Sequence, residues 1–75
     1  MSRLPVVSGR EVVRAFEKIG YVVDRQRGSH IQLRQTAAPH RRLTVPDHRE
    51  VARGLLRALI RDAGLTVESF VTLLG

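Results

Sequence analysis

The stretch RQRGSH, Arg25 to His30, places two arginines, a glycine and a serine directly before a histidine. Imidazole titrates nearest neutrality, and moving a proton at a ribose 2′-hydroxyl or at a leaving oxygen needs a group of that kind. Neighbouring guanidiniums hold a phosphate through paired hydrogen bonds and offset the charge that develops on it. In RNA the nucleophile belongs to the substrate, so such a site needs no serine or cysteine nucleophile of its own. The same six residues also read as a basic hairpin turn with an ordinary surface histidine at a strand start. Gly28 and Ser29 carry both readings: their N–H groups suit a small anion nest, and the pair is equally at home in a hairpin turn. His40, His48 and Asp47 can be drawn with His30 as a metal site, but histidine spacings of ten and eight residues match no metal-ligand motif. Asp47, following Pro46, reads more simply as a turn residue.

Elements on either side must position these groups. SGREVVRAFEKIG opens with Ser8 and, three residues on, Glu11, the spacing of a capping box, and Gly20 supplies the stop. Between them Val12, Phe16 and Ile19 recur at helical spacing, widened by Val13 and Ala15 into an apolar stripe. YVVDRQ and HIQLRQ then read as a hairpin turning near Gly28 and Ser29. The second strand puts Ile31 and Leu33 on one face and His30, Gln32 and Arg34 on the other. In the first strand Tyr21, Val22 and Val23 are consecutive, so either parity leaves one apolar residue outside. Thr36 to His40 form a loop, and RRLTVP alternates again, with Leu43 and Val45 inward and Arg42 and Thr44 outward until Pro46 ends the pairing. VARGLLRALIRDAGL returns to a helical period with Leu55, Leu56, Leu59, Ile60 and Ala63 as its buried stripe. Arg53, Arg57 and Arg61 fall on the exposed side, Gly64 closes the helix, and Thr66 caps a short terminal one. The expected class is α+β: a three-stranded antiparallel sheet with both main helices on one face, leaving His30, Gln32, Arg34, Arg42 and Thr44 on the open face.

Size and charge bound the function. Seventy-five residues make one domain, residues 1–75, close to the smallest that buries its own core. Thirteen basic residues, twelve of them arginine, oppose seven acidic ones. An arginine-dominated surface points to nucleic acid or an acidic protein partner. The absence of cysteine excludes a disulfide framework and a thiolate metal site, and fits a reducing compartment. No apolar run is long enough for a signal peptide or a membrane span, so a cytoplasmic protein with no membrane association is expected.

Four segments in order, LPVVSGREVVRAFEKIGY, RQRGSH, VPDH and GLLRALIRDAGLTVESF, cover nearly the whole chain. Together they resemble the HicA toxin family of bacterial toxin–antitoxin systems, small ribonucleases with a double-stranded-RNA-binding-like fold of helix, three strands and helix. The resemblance implies a toxin that cleaves messenger RNA with His30 as the catalytic histidine, without metal or other cofactor, and whose site is masked by a cognate HicB-type antitoxin. On that reading Arg27, Arg34 and Arg42 contact phosphates, Gly28 and Ser29 shape the turn that presents the histidine, and the free protein is a monomer. Two positions depart from the family pattern: Leu55 stands where a threonine is common, and Ile31 and Gln32 follow the histidine in place of a second histidine or an aromatic residue. Two further hypotheses stand beside this one. A non-catalytic RNA-binding module of the same fold would use the same arginines to read shape and 2′-hydroxyls. A DNA-binding or adaptor domain would use the Arg53, Arg57, Arg61 helix, which offers no asparagine or glutamine for adenine edges.

Overall fold

The computed structural model describes residues 3–75. The capping box forms as its spacing predicts: Ser8 Oγ accepts from the Glu11 N–H at 3.1 Å, and Glu11 Oε1 accepts from the Ser8 N–H at 2.8 Å. Those bonds start α1 (Gly9–Glu17) and hold the Glu11 carboxyl below its ordinary range, the Ser8 amide contributing most. The chain leaves the helix through Gly20 at φ +98°, a backbone state glycine adopts at least cost. It then runs as β1 (Tyr21–Arg27), reverses at Gly28 and Ser29, returns as β2 (His30–Gln35), and continues after a loop as β3 (Arg42–Pro46). The sheet is antiparallel in the order β1-β2-β3, which makes β2 the central strand.

Alternation along β2 and β3 sorts the two faces. Ile31 pairs with Val45 and Leu33 with Leu43, and all four are buried beneath the helices. α1 and α2 (Arg53–Asp62) lie against the sheet, and α3 (Val67–Leu74) packs on both helices. Phe16 joins these layers: its ring centroid lies 5.7 Å from that of Tyr21 and 5.7 Å from that of Phe70, and all three side chains are buried. Tilted aromatic contacts of this kind add roughly 0.5–1.5 kcal/mol each to the burial of the rings. Burial also raises the Tyr21 pKa, and its hydroxyl has no hydrogen-bond partner among the described residues. Thr66 caps α3 reciprocally with Ser69.

Two facings differ from the sequence pattern. Val22 and Val23 are both exposed, at 37% and 45%. By register Val23 stands opposite Leu33 on the helix-covered face, but β1 is an edge strand that the helices do not cover there, and the register shifts immediately after it. Leu55 is 42% exposed and does not join the stripe of Leu56, Leu59, Ile60 and Ala63, because it sits in the first turn of α2, beyond the edge of the covering layer. The N-terminal segment adds to the core instead, with Leu4 and Val7 buried.

That segment also fastens the loop between β3 and α2. The Val51 N–H donates to Val7 O at 2.8 Å, and the Gly9 N–H donates to His48 O at 2.9 Å. The approach at Gly9 is so close that a Cβ there would stand 1.9 Å from Pro46 O, so only glycine fits. No helix among the described residues is long and apolar enough to cross a membrane.

Candidate active site

The hairpin turn carries the histidine. Arg27 and His30 form the last cross-strand pair of β1 and β2, with Gly28 at φ +53° between them. Nothing lies within 4 Å of where a Gly28 Cβ would point, so glycine is required there for its backbone conformation rather than for space. His30 pairs on its other side with Pro46 at the end of β3, and its ring is exposed.

A polar clamp holds this turn against the loop after β3. The Asp47 N–H donates to Ser29 O at 2.6 Å. The Asp47 carboxylate accepts from Arg10 Nε at 3.1 Å, from Arg10 Nη2 at 2.9 Å, and from Gln26 Nε2 at 3.1 Å. Gln26 Nε2 also donates to Gly28 O at 2.9 Å, and its Oε1 accepts from Arg10 Nη2 at 3.2 Å. The fork of Arg10, and after it Gln26, keeps the Asp47 carboxyl below the ordinary aspartate range. Asp47 is therefore more than a turn residue. It ties the start of α1, the end of β1 and the turn before His30 into one unit, across up to 37 positions of sequence.

Beside the clamp opens a cleft of about 430 Å³ lined by His30, Thr44, Pro46, His48, Ala52 and Leu55. Pro46, Ala52 and Leu55 make one side of it apolar, and the exposure of Leu55 follows from its place there. α2 begins at this cleft without a side-chain cap, since its N-cap residue is Ala52. Leu55 supplies no hydroxyl in that first turn.

The other two arginines expected to contact phosphate, Arg34 and Arg42, are elsewhere on the open sheet face. Arg34 and Arg42 are cross-strand partners, four residues along β2 from His30, which is about 13 Å at the usual rise of a strand. Asp24 stands between Val23 and Arg25 at the register shift and engages both: Arg42 Nη1 lies 3.2 Å from its Oδ2 and Arg34 Nε 3.8 Å from its Oδ1. Exposed ion pairs of this kind are worth about 0.2–1 kcal/mol, so an arriving phosphate can displace the carboxylate at small cost. Arg25 Nε contacts Gln32 Oε1 at 3.4 Å beside them. The structure thus brings Arg27, Gly28, Ser29 and His30 together around the turn, and sets Arg34 and Arg42 apart as a second basic group.

His40 does not approach His30 or His48 as a ligand. It lies in the loop before β3 at φ +58°, with Nδ1 3.3 Å from Gln35 O. Among the described residues no three histidine, aspartate or glutamate side chains converge as a metal site. Arg53, Arg57 and Arg61 are exposed along α2.

Sequence reasoning missed Arg10, Gln26 and Asp24. Each looks like an ordinary polar surface residue until the fold closes, and only the acidic character of Asp24 within a basic strand was visible as a signal. Compared with known families, the chain matches the model described as the HicA toxin of bacterial toxin–antitoxin over residues 9–65, from the start of α1 to just beyond α2. No curated protein matches the chain.

Proposed function

This chain belongs to the HicA toxin family of bacterial toxin–antitoxin systems and so has a cognate antitoxin as partner, and from that premise we propose that it is a metal-independent endoribonuclease of messenger RNA with His30 as its proton-transfer group. The observation that carries the proposal is the presentation of His30. Its ring is exposed at a cleft, its cross-strand neighbour is an arginine, and the turn before it is anchored through Ser29 and Gly28 to the Asp47 clamp. Positioned proton transfer needs such rigidity, because small displacements of the group cost rate.

The reaction is transesterification within the substrate. The 2′-hydroxyl loses its proton to a base, the 2′-oxygen forms a bond to phosphorus, and the bond from phosphorus to the 5′-oxygen breaks as that oxygen takes up a proton. Arg27 holds the phosphate beside the histidine, and Gly28 and Ser29 shape the turn. Arg34 and Arg42 bind the RNA backbone farther along the strand, exchanging Asp24 for phosphate. The antitoxin silences the toxin by covering this face.

Purified protein incubated with RNA in EDTA tests the reaction class. Cleavage should proceed unchanged and leave 2′,3′-cyclic or 3′-phosphate ends with 5′-hydroxyls. Cleavage abolished by EDTA and restored by zinc or magnesium would refute the proposal. RNA binding with no cleavage under any condition would support the non-catalytic module instead.

A further inference from the structure

In-line displacement at phosphorus moves two protons on opposite sides of the reacting atom, one from the attacking 2′-oxygen and one to the departing 5′-oxygen. A single imidazole serves one side. The cleft beside His30 supplies a second: His48 lines it together with Thr44, Pro46, Ala52 and Leu55. Resting on the assignment of His30 above, we infer that His48 is the second proton-transfer group of the site, working across this cleft from His30 on the same phosphodiester.

Three observations carry this. The first is chemical: of the six lining residues only His30 and His48 carry an imidazole, and the other four have no side chain suited to acid–base exchange. Asp47, the nearest carboxylate in sequence, is committed to Arg10 and Gln26. The second is positional. The residues preceding the two histidines, Ser29 and Asp47, are joined by a main-chain hydrogen bond of 2.6 Å. The His48 carbonyl is held in turn by the Gly9 N–H at 2.9 Å. Both imidazoles therefore spring from backbone that is locked together and to the start of α1, so their separation is a property of the fold. The third is spatial: about 430 Å³ lies within the range of small-ligand sites, roughly 300–1,000 Å³. Its apolar side at Pro46, Ala52 and Leu55 offers a surface for a nucleotide's base while the two rings face its phosphate.

The proton balance is complete without a metal or an added reactant. One neutral imidazole accepts the 2′-hydroxyl proton as the oxygen–phosphorus bond forms. The other, as imidazolium, donates to the 5′-oxygen as its bond to phosphorus breaks. The pair ends with the proton positions exchanged, and solvent restores them.

The test replaces His48 by Ala, with His48→Gln as a second variant that keeps a hydrogen-bonding side chain should the first fail to fold. RNA cleavage, RNA affinity and melting are measured beside the parent and beside His30→Ala. Cleavage should fall by about 10²–10⁴, the usual contribution of a positioned acid or base, while affinity and melting stay near those of the parent. Added imidazole should restore part of the activity of His48→Ala, which a merely structural role would not allow. His48 variants that cleave like the parent while His30→Ala is silent would overturn this inference and leave the function proposed above intact. A loss that tracks RNA affinity, or that imidazole does not restore, would also overturn it. Variants of both histidines that cleave like the parent would remove the proposed function itself.

Discussion

Glycine-to-alanine substitution should have opposite effects at two positions of this chain. At Gly9 an ideal Cβ would stand 1.9 Å from Pro46 O, 2.9 Å from Pro46 C and 3.1 Å from Asp47 Cα. All three are backbone atoms, so no change of rotamer relieves the clash and the β3–α2 loop must move away from α1. Overpacking costs about 1–3 kcal/mol, and contact this short belongs at the upper end. Straining the Gly9 N–H to His48 O bond adds about 1 kcal/mol. Alanine's better helix propensity returns at most about 1 kcal/mol. The net loss is about 3 kcal/mol, or roughly 12–24 °C in Tm for a domain of this size. At Gly54, in the first turn of α2, nothing lies within 4 Å of the corresponding Cβ and φ is not positive. Gly54→Ala should therefore stabilise the protein by about 0.5–1 kcal/mol. Thermal unfolding followed by far-ultraviolet circular dichroism, with the parent and both variants in one buffer, reads the two effects together. A Gly9→Ala variant that melts with the parent would refute the close seating of α1 on the loop that carries Asp47 and His48.

Two further outcomes follow from the charged groups. Asp24→Asn should remove the carboxylate that phosphate must displace from Arg34 and Arg42, so RNA affinity rises while the log–log salt slope still reflects roughly three to five phosphate contacts; an unchanged affinity would remove those arginines from the binding surface. The Asp47 carboxyl has a folded-state pKa below its unfolded value of about 3.9, so its contribution to stability is present above that pH and fades as pH falls through the folded value. Acid unfolding monitored from pH 5 downward should accordingly be less steep in Asp47→Asn than in the parent.

Local signals made most of the fold legible. The Ser8–Glu11 box, the glycine at the hairpin, the alternation in β2 and β3 and the Thr66 cap each depend on neighbours within a few residues, and each appears where the pattern places it. The facings that differ lie at boundaries. Val22 and Val23 sit on an edge strand and Leu55 in the first turn of a helix, places where periodicity continues but the covering layer ends. The Arg10–Gln26–Asp47 clamp was beyond reach for another reason: its three members come from α1, β1 and the loop after β3, and no spacing rule joins them. His30 and its turn were visible because they are contiguous. His48 was visible only within the VPDH segment and in a histidine spacing that matches no ligand motif, since the main-chain bond between Ser29 and Asp47 that brings the two loops together leaves no mark on residue type.

The central claim is that His30 moves a proton in RNA cleavage and does nothing for the core. Its ring is exposed and points away from Ile31 and Leu33, so His30→Ala should change stability by no more than about ±0.5 kcal/mol. The decisive measurement is the rate of RNA cleavage by purified His30→Ala beside the parent, with melting and antitoxin capture recorded on the same samples. The account predicts a folded protein, captured as before, whose cleavage is lower by about 10²–10⁴ and which no longer inhibits growth when expressed. A folded variant that cleaves at the parent's rate would contradict it.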